Sequence, residues 1–174
     1  PGTLSVDKLT LKGGSLNNLL DDSNATYAHF AESPYKGGEI KDYLPVDASI
    51  TLTFKKAKTL GTIYFGQDAG TDKSTKYAIE YTTDGQTWKV LKEYNGDASV
   101  ELDVSVRIRN LKLNLKSNTA GYWWKVNTFK MADPGQINAT FMYTDTWGIY
   151  RGTVANLTDG DSSTALDFST SGDR

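Results

Sequence analysis

The chain has 174 residues, a formal net charge of −2 and no cysteine. These numbers exclude a disulfide framework and a thiolate metal site. The basic residues are scattered, so the electrostatic footprint of a nucleic-acid-binding protein is missing. No apolar stretch approaches the roughly 20 residues that a membrane-spanning helix needs.

A polar turn near the start of the chain returns near its end. "NLLDDSNAT" occupies residues 18–26 and "NLTDGDSST" occupies residues 156–164, so the spacing is 138 residues. The matching pairs are Asn18 and Asn156, Leu19 and Leu157, Asp21 and Asp159, Thr26 and Thr164, Gly14 and Gly152, and Phe30 and Phe168. A long-period repeat of this kind indicates tandem modules. We therefore predict a first module at 1–132, a linker at 133–135 and the truncated start of a second, similar module at 136–174.

Between the two turns, apolar and polar residues alternate with the period of a half-buried strand. The segments are "SITLTF" at 49–54, "GTIYFG" at 61–66, "KYAIEY" at 76–81, "VELDV" at 100–104, "LKLNL" at 111–115 and "YWWKVNTFKM" at 122–131. Asp84-Gly85 predicts a tight hairpin with positive φ angles. A short helical turn is expected within 15–21. Many short strands separated by turns favour an all-β sandwich or barrel.

The order of these pieces resembles the discoidin family, also called coagulation factor 5/8 type C domains, over residues 13–131. The most specific segment is "YAIEYTTDGQTW" at 77–88. More narrowly, the chain is similar to family 32 carbohydrate-binding modules of bacterial glycoside hydrolases. The resemblance implies an eight-stranded jelly-roll β-sandwich, frequently with one structural calcium ion, that binds galactose, N-acetylglucosamine or related sugars through loops at one end.

Three positions depart from the family pattern. Gln67 lies near the position where galactose-binding members carry an Arg. Ala28 occupies the position where the family pattern has a Trp, and Thr128 occupies the position of the Glu that often closes the calcium site. The first two departures favour N-acetylglucosamine-containing glycans over plain galactose. The third predicts a weaker calcium site.

The repeated turn is the candidate metal site. A hard cation needs an oxygen-only cage of carboxylates, hydroxyls and carbonyls. By resemblance, the ligands are Asp21, the Ser23 carbonyl and Thr26. Their counterparts in the second copy are Asp159, Asp161 and Thr164. An Asx turn that caps its own backbone without any ion is the open alternative.

The resemblance and the loop chemistry also predict sugar contacts. His29, the only histidine, lies three positions after Thr26, where family members place a sugar-hydroxyl partner. Strand alternation sends Trp123 and Trp124 to opposite faces, one to the core and one outward. Tyr122 is the favoured stacking platform. The full predicted set is His29, Glu32, Tyr35, Gln67, Asp68, Lys73, Asn118, Tyr122 and Trp123.

These features predict a binding module rather than an enzyme, because the chain offers no Cys nucleophile, no paired His ligands and no hydrolase elbow. We expect it to target an attached bacterial glycoside hydrolase to N-acetylglucosamine- or galactose-containing host glycans. Its partners would be the glycan, the catalytic domain and further modules of the same polypeptide, in a secreted or cell-surface protein without nucleic acid or membrane contacts. The alternative is an adhesion or structural module that binds protein or a membrane surface and has no sugar site.

Overall fold

The computed structural model describes residues 2–21, 23–32, 44–117 and 123–133, together with the backbone of two strands at 147–151 and 167–170. The chain divides into two compact units, Pro1–Asp133 and Pro134–Arg174. The division falls within the predicted linker. Among the residues described, no helix has the length and hydropathy needed to cross a bilayer.

The described part of the first unit contains two antiparallel five-stranded sheets and one short 3-10 helix, which confirms the predicted all-β sandwich. The strands are β1 (Thr3–Asp7), β2 (Leu9–Gly14), β3 (Ala28–Glu32), β4 (Ser49–Lys58), β5 (Gly61–Gln67), β6 (Tyr77–Thr82), β7 (Lys89–Tyr94), β8 (Ser99–Val104), β9 (Ile108–Leu115) and β10 (Trp124–Ala132). The helix, Leu16–Leu19, lies where a helical turn was expected. The described part of this unit has ten strands rather than the eight that the resemblance implies, and β1, β2, β7 and β8 lie at the sheet edges.

The first sheet has the order β1-β4-β9-β6-β7 and the second has the order β2-β3-β10-β5-β8. The apolar residues predicted to share a face are buried between the sheets, including Ile50, Leu52, Leu111, Leu113 and Leu115. Large aromatic side chains fill the space across the two sheets. Phe65 of β5 lies 4.7 Å, centroid to centroid, from Tyr77 of β6. Such a pair adds about 1 kcal/mol beyond the area that it buries.

The hairpin between β6 and β7 depends on Asp84. Its Oδ1 atom accepts hydrogen bonds from the hydroxyl of Thr82 and from the backbone N–H groups of Gln86 and Thr87. These bonds, the Thr82 bond first, lower the pKa of Asp84 from its ordinary value. Gly85 has a φ of +86°, but Asp84 is not among the positive-φ residues, so only half of the predicted turn geometry is present.

The second unit repeats a feature of the first in its backbone pairing. Strands β11 (Trp147–Arg151) and β12 (Asp167–Thr170) pair antiparallel. The paired residues are Trp147 and Thr170, Gly148 and Ser169, Ile149 and Phe168, and Arg151 and Asp167. Subtracting the repeat spacing of 138 from the residue numbers of each pair gives a pair of the β2–β3 ladder. The register irregularity after Ile149 corresponds in the same way to the one after Leu11.

A buried carboxylate holds together the outward face of the first sheet. Glu80 of β6 is only 5 % exposed. Its carboxylate accepts hydrogen bonds from Asn114 at 2.9 Å and Lys116 at 2.6 Å, and it pairs with Lys112 at 2.9 Å. Burial alone raises the pKa of Glu80, but the hydrogen bonds from Lys116, Asn114 and Lys112 outweigh burial, so the pKa is lowered. The stabilisation from a lowered carboxyl pKa is present above the unfolded pKa and is lost as the pH falls through the folded pKa.

We predict that Glu80→Gln lowers the free energy of unfolding by about 2 kcal/mol at pH 7, because two lysines lose their buried partner. The difference from the parent protein should shrink as the pH falls below 4.5, the ordinary value for this group. Denaturant titrations between pH 3 and pH 7 measure both effects. Glu93→Gln is the matched control: Glu93 is half exposed and lies 3.8 Å from Lys76, so its loss should cost under about 0.5 kcal/mol. Equal costs for the two variants would contradict the assignment.

Candidate functional site

The residues of the repeated turn fix how the chain enters β3. The carbonyl of Tyr27 accepts a hydrogen bond from Asn18 Nδ2 at 2.8 Å and from the N–H of Ser15 at 3.2 Å. A Cβ atom at Gly14 would lie 1.9 Å from that same carbonyl oxygen, and the φ of Gly14 is +72°. Leu19 is completely buried in the core. The repeated Gly and Asn are therefore the residues that this close approach requires, and the repeated Leu packs in the core.

The predicted metal ligands lie together in the turn. Thr26 Oγ1 lies 2.9 and 2.8 Å from the two carboxylate oxygens of Asp21 and 3.1 Å from the carbonyl oxygen of Ser23. The N–H of Ser23 donates to Asp21 Oδ1, which is the Asx-turn geometry. Asn127 on β10 anchors the turn by donating to the carbonyls of Asn24 and Thr26. The part of the chain described here has no group of three His, Cys, Asp or Glu residues that could hold a metal.

His29 lies at the centre of a second cluster, at the end of the sandwich where β5 ends and β10 begins. Its Nε2 atom is 2.9 Å from Asp72 Oδ2, and the two side chains are 16 % and 30 % exposed. Trp123 packs edge-on against the imidazole with ring centroids 4.7 Å apart. The Nε1–H group of Trp123 is buried and has no acceptor among the described residues. Trp124, the next residue, is fully buried in the core, so the two indoles point to opposite faces as predicted.

Tyr27, Lys125 and Asp68 continue this cluster. Tyr27 lies edge-on to His29 at 6.2 Å, and Lys125 Nζ is 4.7 Å from the centre of the Tyr27 ring. The same Nζ atom is 3.9 Å from Asp68 Oδ1. Two carboxylates, one lysine and one histidine therefore surround aromatic surface.

The loop between β5 and β6 is tied to β10 through its backbone. The N–H of Lys125 donates to the carbonyl of Asp72, and the N–H of Asp68 donates to the carbonyl of Lys125. Because His29 pairs with Lys125 across β3 and β10, these bonds bring Asp72 beside His29. Backbone hydrogen bonds of this kind hold the two side chains in fixed positions.

Gln67 differs from the expectation that it contacts a sugar. It is 6 % exposed, and its Oε1 atom accepts from Trp124 Nε1 and from both the N–H and the hydroxyl of Ser74. Its Nε2 group donates to the carbonyls of Ser74 and Asp97. The hydrogen-bonding capacity of the amide is thus used inside the protein. Gln67 supports the site rather than lining it.

The remaining predicted site residues differ in their position relative to the His29 cluster. Asp68 and Lys73 are partly exposed on the loop between β5 and β6, and only Asp68 has a recorded contact with the cluster. Glu32 ends β3 opposite Leu9, about 10 Å along the strand from His29. Tyr35, Asn118, Tyr122, Asp159, Asp161 and Thr164 lie outside the described residues.

Tyr27, Asp72 and Lys125 of the cluster were not predicted from the sequence. Asp72 lies on the loop between β5 and β6, between the predicted Asp68 and Lys73. Lys125 shares the outward face of β10 with Trp123, two residues before it, so the alternation that separated the two tryptophans also identifies this lysine. Tyr27 had no such signal, because it lies between the turn and the strand.

This end of the domain combines aromatic surface with polar groups of both charge signs. Such a surface can pack against the apolar face of a sugar ring while its polar side chains bond hydroxyl groups. It can do so without any covalent step.

Comparisons with known proteins identify the family of the chain. Residues 7–129 match the profile of the F5/8 type C domain. The chain belongs to the F5/8 type C domain family. No curated protein matches it. Membership of this family confirms the resemblance seen in the sequence.

Solved structures with the same fold include carbohydrate-binding modules of family 32. Chitosan-binding module 2 of a chitosanase/glucanase from Paenibacillus sp. IK-5, in complex with chitotriose, has a TM-score of 0.58 and 12 % identity over 75 % of this chain and 95 % of that one. The GH31 module CBM32-2 bound to GalNAc has a TM-score of 0.59 and 15 % identity over 77 % and 98 %. A GH29 fucosidase of Ruminococcus gnavus, in complex with fucose, has a TM-score of 0.55 and 16 % identity over 76 % of this chain and 25 % of the fucosidase.

We predict that Gln67→Leu lowers the free energy of unfolding by about 3 kcal/mol, because the buried indole N–H of Trp124 and the donors of Ser74 lose their acceptor. Chemical denaturation measures the cost. Gln86→Leu, at an exposed position of the β6–β7 hairpin, is the control and should change stability by under about 0.5 kcal/mol. An unchanged stability with lost ligand binding would restore Gln67 as a contact residue.

Proposed function

We propose that this domain is a non-catalytic carbohydrate-binding module that holds an attached glycoside hydrolase near its glycan substrate. The observation that carries the proposal is the cluster of Tyr27, His29, Asp72, Trp123 and Lys125, which combines aromatic and polar groups at one end of the sandwich. Support comes from family membership and from fold relatives that were solved with chitotriose or GalNAc bound. The fucosidase with a region of this fold supports attachment to a catalytic domain.

In this role the His29–Asp72 pair orients the imidazole so that its other ring nitrogen is left for a sugar hydroxyl. The partly exposed indole of Trp123 offers apolar surface beside it, and Lys125 and Asp68 supply a donor and an acceptor. We propose N-acetylglucosamine- or galactose-containing glycans, such as those of host glycoproteins, as ligands for a secreted or cell-surface protein.

The repeat gives a reason for tandem use. We propose that residues 136–174 begin a second module of the same kind, supported by the β11–β12 ladder with its offset of 138 residues from β2–β3. Two weak sites on one polypeptide raise the avidity for a polymer through effective concentration.

Sugar binding is tested by calorimetry with chitotriose, N-acetylgalactosamine and fucose. We predict that His29→Ala weakens the binding of the preferred sugar at least about tenfold, because a polar partner and the orientation of Asp72 are lost. Trp123→Ala should weaken it similarly. Trp88→Ala is the matched control, since that indole packs over Lys112 Nζ on the other sheet and should leave affinity unchanged. Absence of saturable binding to all three sugars would contradict the proposal and favour an adhesion or structural module.

We also propose that the turn at Asp21 binds Ca²⁺. The chemistry of the donor set fits a hard cation, because the converging atoms are carboxylate, hydroxyl and carbonyl oxygens. With a single carboxylate among the described donors, we expect a dissociation constant near ~1 mM, as in weak extracellular sites.

At 10 mM Ca²⁺ such a site should stabilise the domain by about 1.4 kcal/mol, which raises Tm by about 4 °C relative to EDTA. Asp21→Asn should abolish the increase in Tm, whereas Asp7→Asn, on the edge strand β1, should retain it. Mg²⁺ at equal concentration should raise Tm by less than Ca²⁺ does, because Mg²⁺ requires a tighter octahedral site. A Tm that is the same with Ca²⁺ and EDTA would overturn the calcium proposal alone.

A further inference from the structure

A groove of about 370 Å³ lies on the outward face of the second sheet, away from the His29 cluster. We call it the Tyr64 trough. Its lining residues are Asn24, Tyr64, Phe65, Gly66, Ser99, Val100, Glu101, Thr128 and Lys130. On β10, Lys125 pairs with His29, and the trough residues Thr128 and Lys130 follow three and five residues later, or about 10 Å and about 17 Å along the strand. The trough is therefore a separate place on the domain.

The strand register builds the trough from two rows of outward-facing residues. One row crosses β10, β5 and β8 through Thr128, Gly66 and Ser99. The next row crosses the same strands through Lys130, Tyr64 and Glu101. The middle of the first row has no side chain, so the floor is open between two hydroxyl-bearing residues and beside an aromatic ring.

A side chain at Gly66 would fit without a steric clash. A Cβ atom there would meet Thr128 Cβ at 3.8 Å and Asn127 Cβ at 3.9 Å, which are ordinary contacts. By contrast, a Cβ at Gly61, at the start of the same strand, would lie 2.4 Å from the carbonyl oxygen of Ala132. Gly66 has no positive φ either. Glycine weakens a strand interior and often marks a bulge or a place where a ligand or another backbone approaches closely. Gly66 pairs with Thr128, next to the register shift between Val126 and Thr128 of β10, and the space above it is part of the groove.

The side chains around this opening have the chemistry of a sugar contact. Tyr64 is partly exposed, and its hydroxyl lies 3.4 Å from Glu101 Oε1, at the long limit of a hydrogen bond. The phenol and the carboxylate can therefore both turn to a ligand. Asn24, Ser99 and Thr128 add amide and hydroxyl groups, which both donate and accept. Glu101 and Lys130 carry opposite charges, so the trough favours a neutral ligand.

From these observations we propose that the Tyr64 trough is a second saccharide-binding site, which takes one or two neutral pyranose units with a ring face against Tyr64. Its volume lies at the lower end of the range for small-ligand pockets. It shares the ligand class of the proposed function but none of the residues of the His29 cluster. One site at the end of the sandwich and a second on the outward face of the second sheet would let a single module hold one glycan chain at two points.

The test is an NMR titration of the ¹⁵N-labelled chain of 174 residues with chitotriose, N-acetylgalactosamine and fucose in turn. We expect saturable shifts of the backbone amides of Gly66, Ser99 and Glu101 with at least one sugar. The amides of His29, Asp72 and Trp123 report the end site in the same spectra, so the two sites are read separately.

Two variants address the trough directly. Gly66→Val fills the floor without a clash of its Cβ, and Tyr64→Ala removes the ring. Each should weaken binding at the trough by about fivefold or more and leave the shifts at His29 unchanged. Thr62→Val, at an outward position of β5 that does not line the trough, is the control and should leave both sites intact.

Each outcome decides between the proposals. Shifts at His29 without shifts at Gly66 would overturn the trough and leave the proposed function standing. Shifts at Ser99 and Glu101 that persist in both Gly66→Val and Tyr64→Ala would overturn the trough as the site of contact. Shifts at Gly66 without any at His29, lost in the two variants, would support the trough and contradict the end site. No shifts at either place with any of the three sugars would overturn both.

Discussion

The side-chain amide of Gln67 joins the second sheet to the loops at the candidate site, since it accepts from Trp124 on β10 and from Ser74 and donates to the Asp97 carbonyl. A buried amide that satisfies several donors and acceptors at once is costly to disturb, because each lost partner leaves a desolvated polar group. The conformation of the loop from Asp68 to Ser74 therefore depends on the core. The position of Asp72 beside His29 depends on that loop in turn.

The end of the sandwich consequently combines a fixed framework with polar side chains near its surface. The backbone bonds between Asp72, Lys125 and Asp68 extend the pairing of β10 beyond the strand itself. Side chains mounted on such a framework lose little further freedom when a ligand binds, which lowers the entropic cost of weak, shallow recognition. On the opposite sheet, the Glu80 network stabilises the fold in a similar way. Lys112 of β9 and Lys116, just after β9, both pair with the buried carboxylate of Glu80.

Much of the fold could be predicted from the sequence because apolar and polar residues alternate in the central parts of the long strands. Ile50 and Leu52, or Leu111 and Leu113, identify their inner faces without knowledge of the partner strands. The site could be predicted only in part. His29 and Asp72 are 43 residues apart, and only the pairing of β3 with β10 and the course of the β5–β6 loop bring them together. Gln67 misled the prediction because a polar residue at the end of a strand resembles the start of an exposed loop, while its burial depends on a distant indole.

The repeated turn illustrates the converse case, in which the sequence identified the residues but not their roles. Gly14 and Asn18 are repeated because both serve the carbonyl of Tyr27, one by leaving room and the other by donating to it. Neither the steric requirement at Gly14 nor the hydrogen bond of Asn18 can be seen by aligning the two copies of the sequence.

The opposed orientation of Trp123 and Trp124 has a practical consequence for spectroscopy. Trp124 is sealed in the core, whereas Trp123 is partly exposed beside His29. The chain has two further tryptophans, Trp88 and Trp147. Indole emission responds to its surroundings, so once those two are replaced, Trp123 and Trp124 are optical reporters of different events. The emission of Trp124 would follow the loss of the packed interior, and that of Trp123 would follow occupancy at the rim. Two neighbouring positions in the chain thus give separate readings of folding and of recognition.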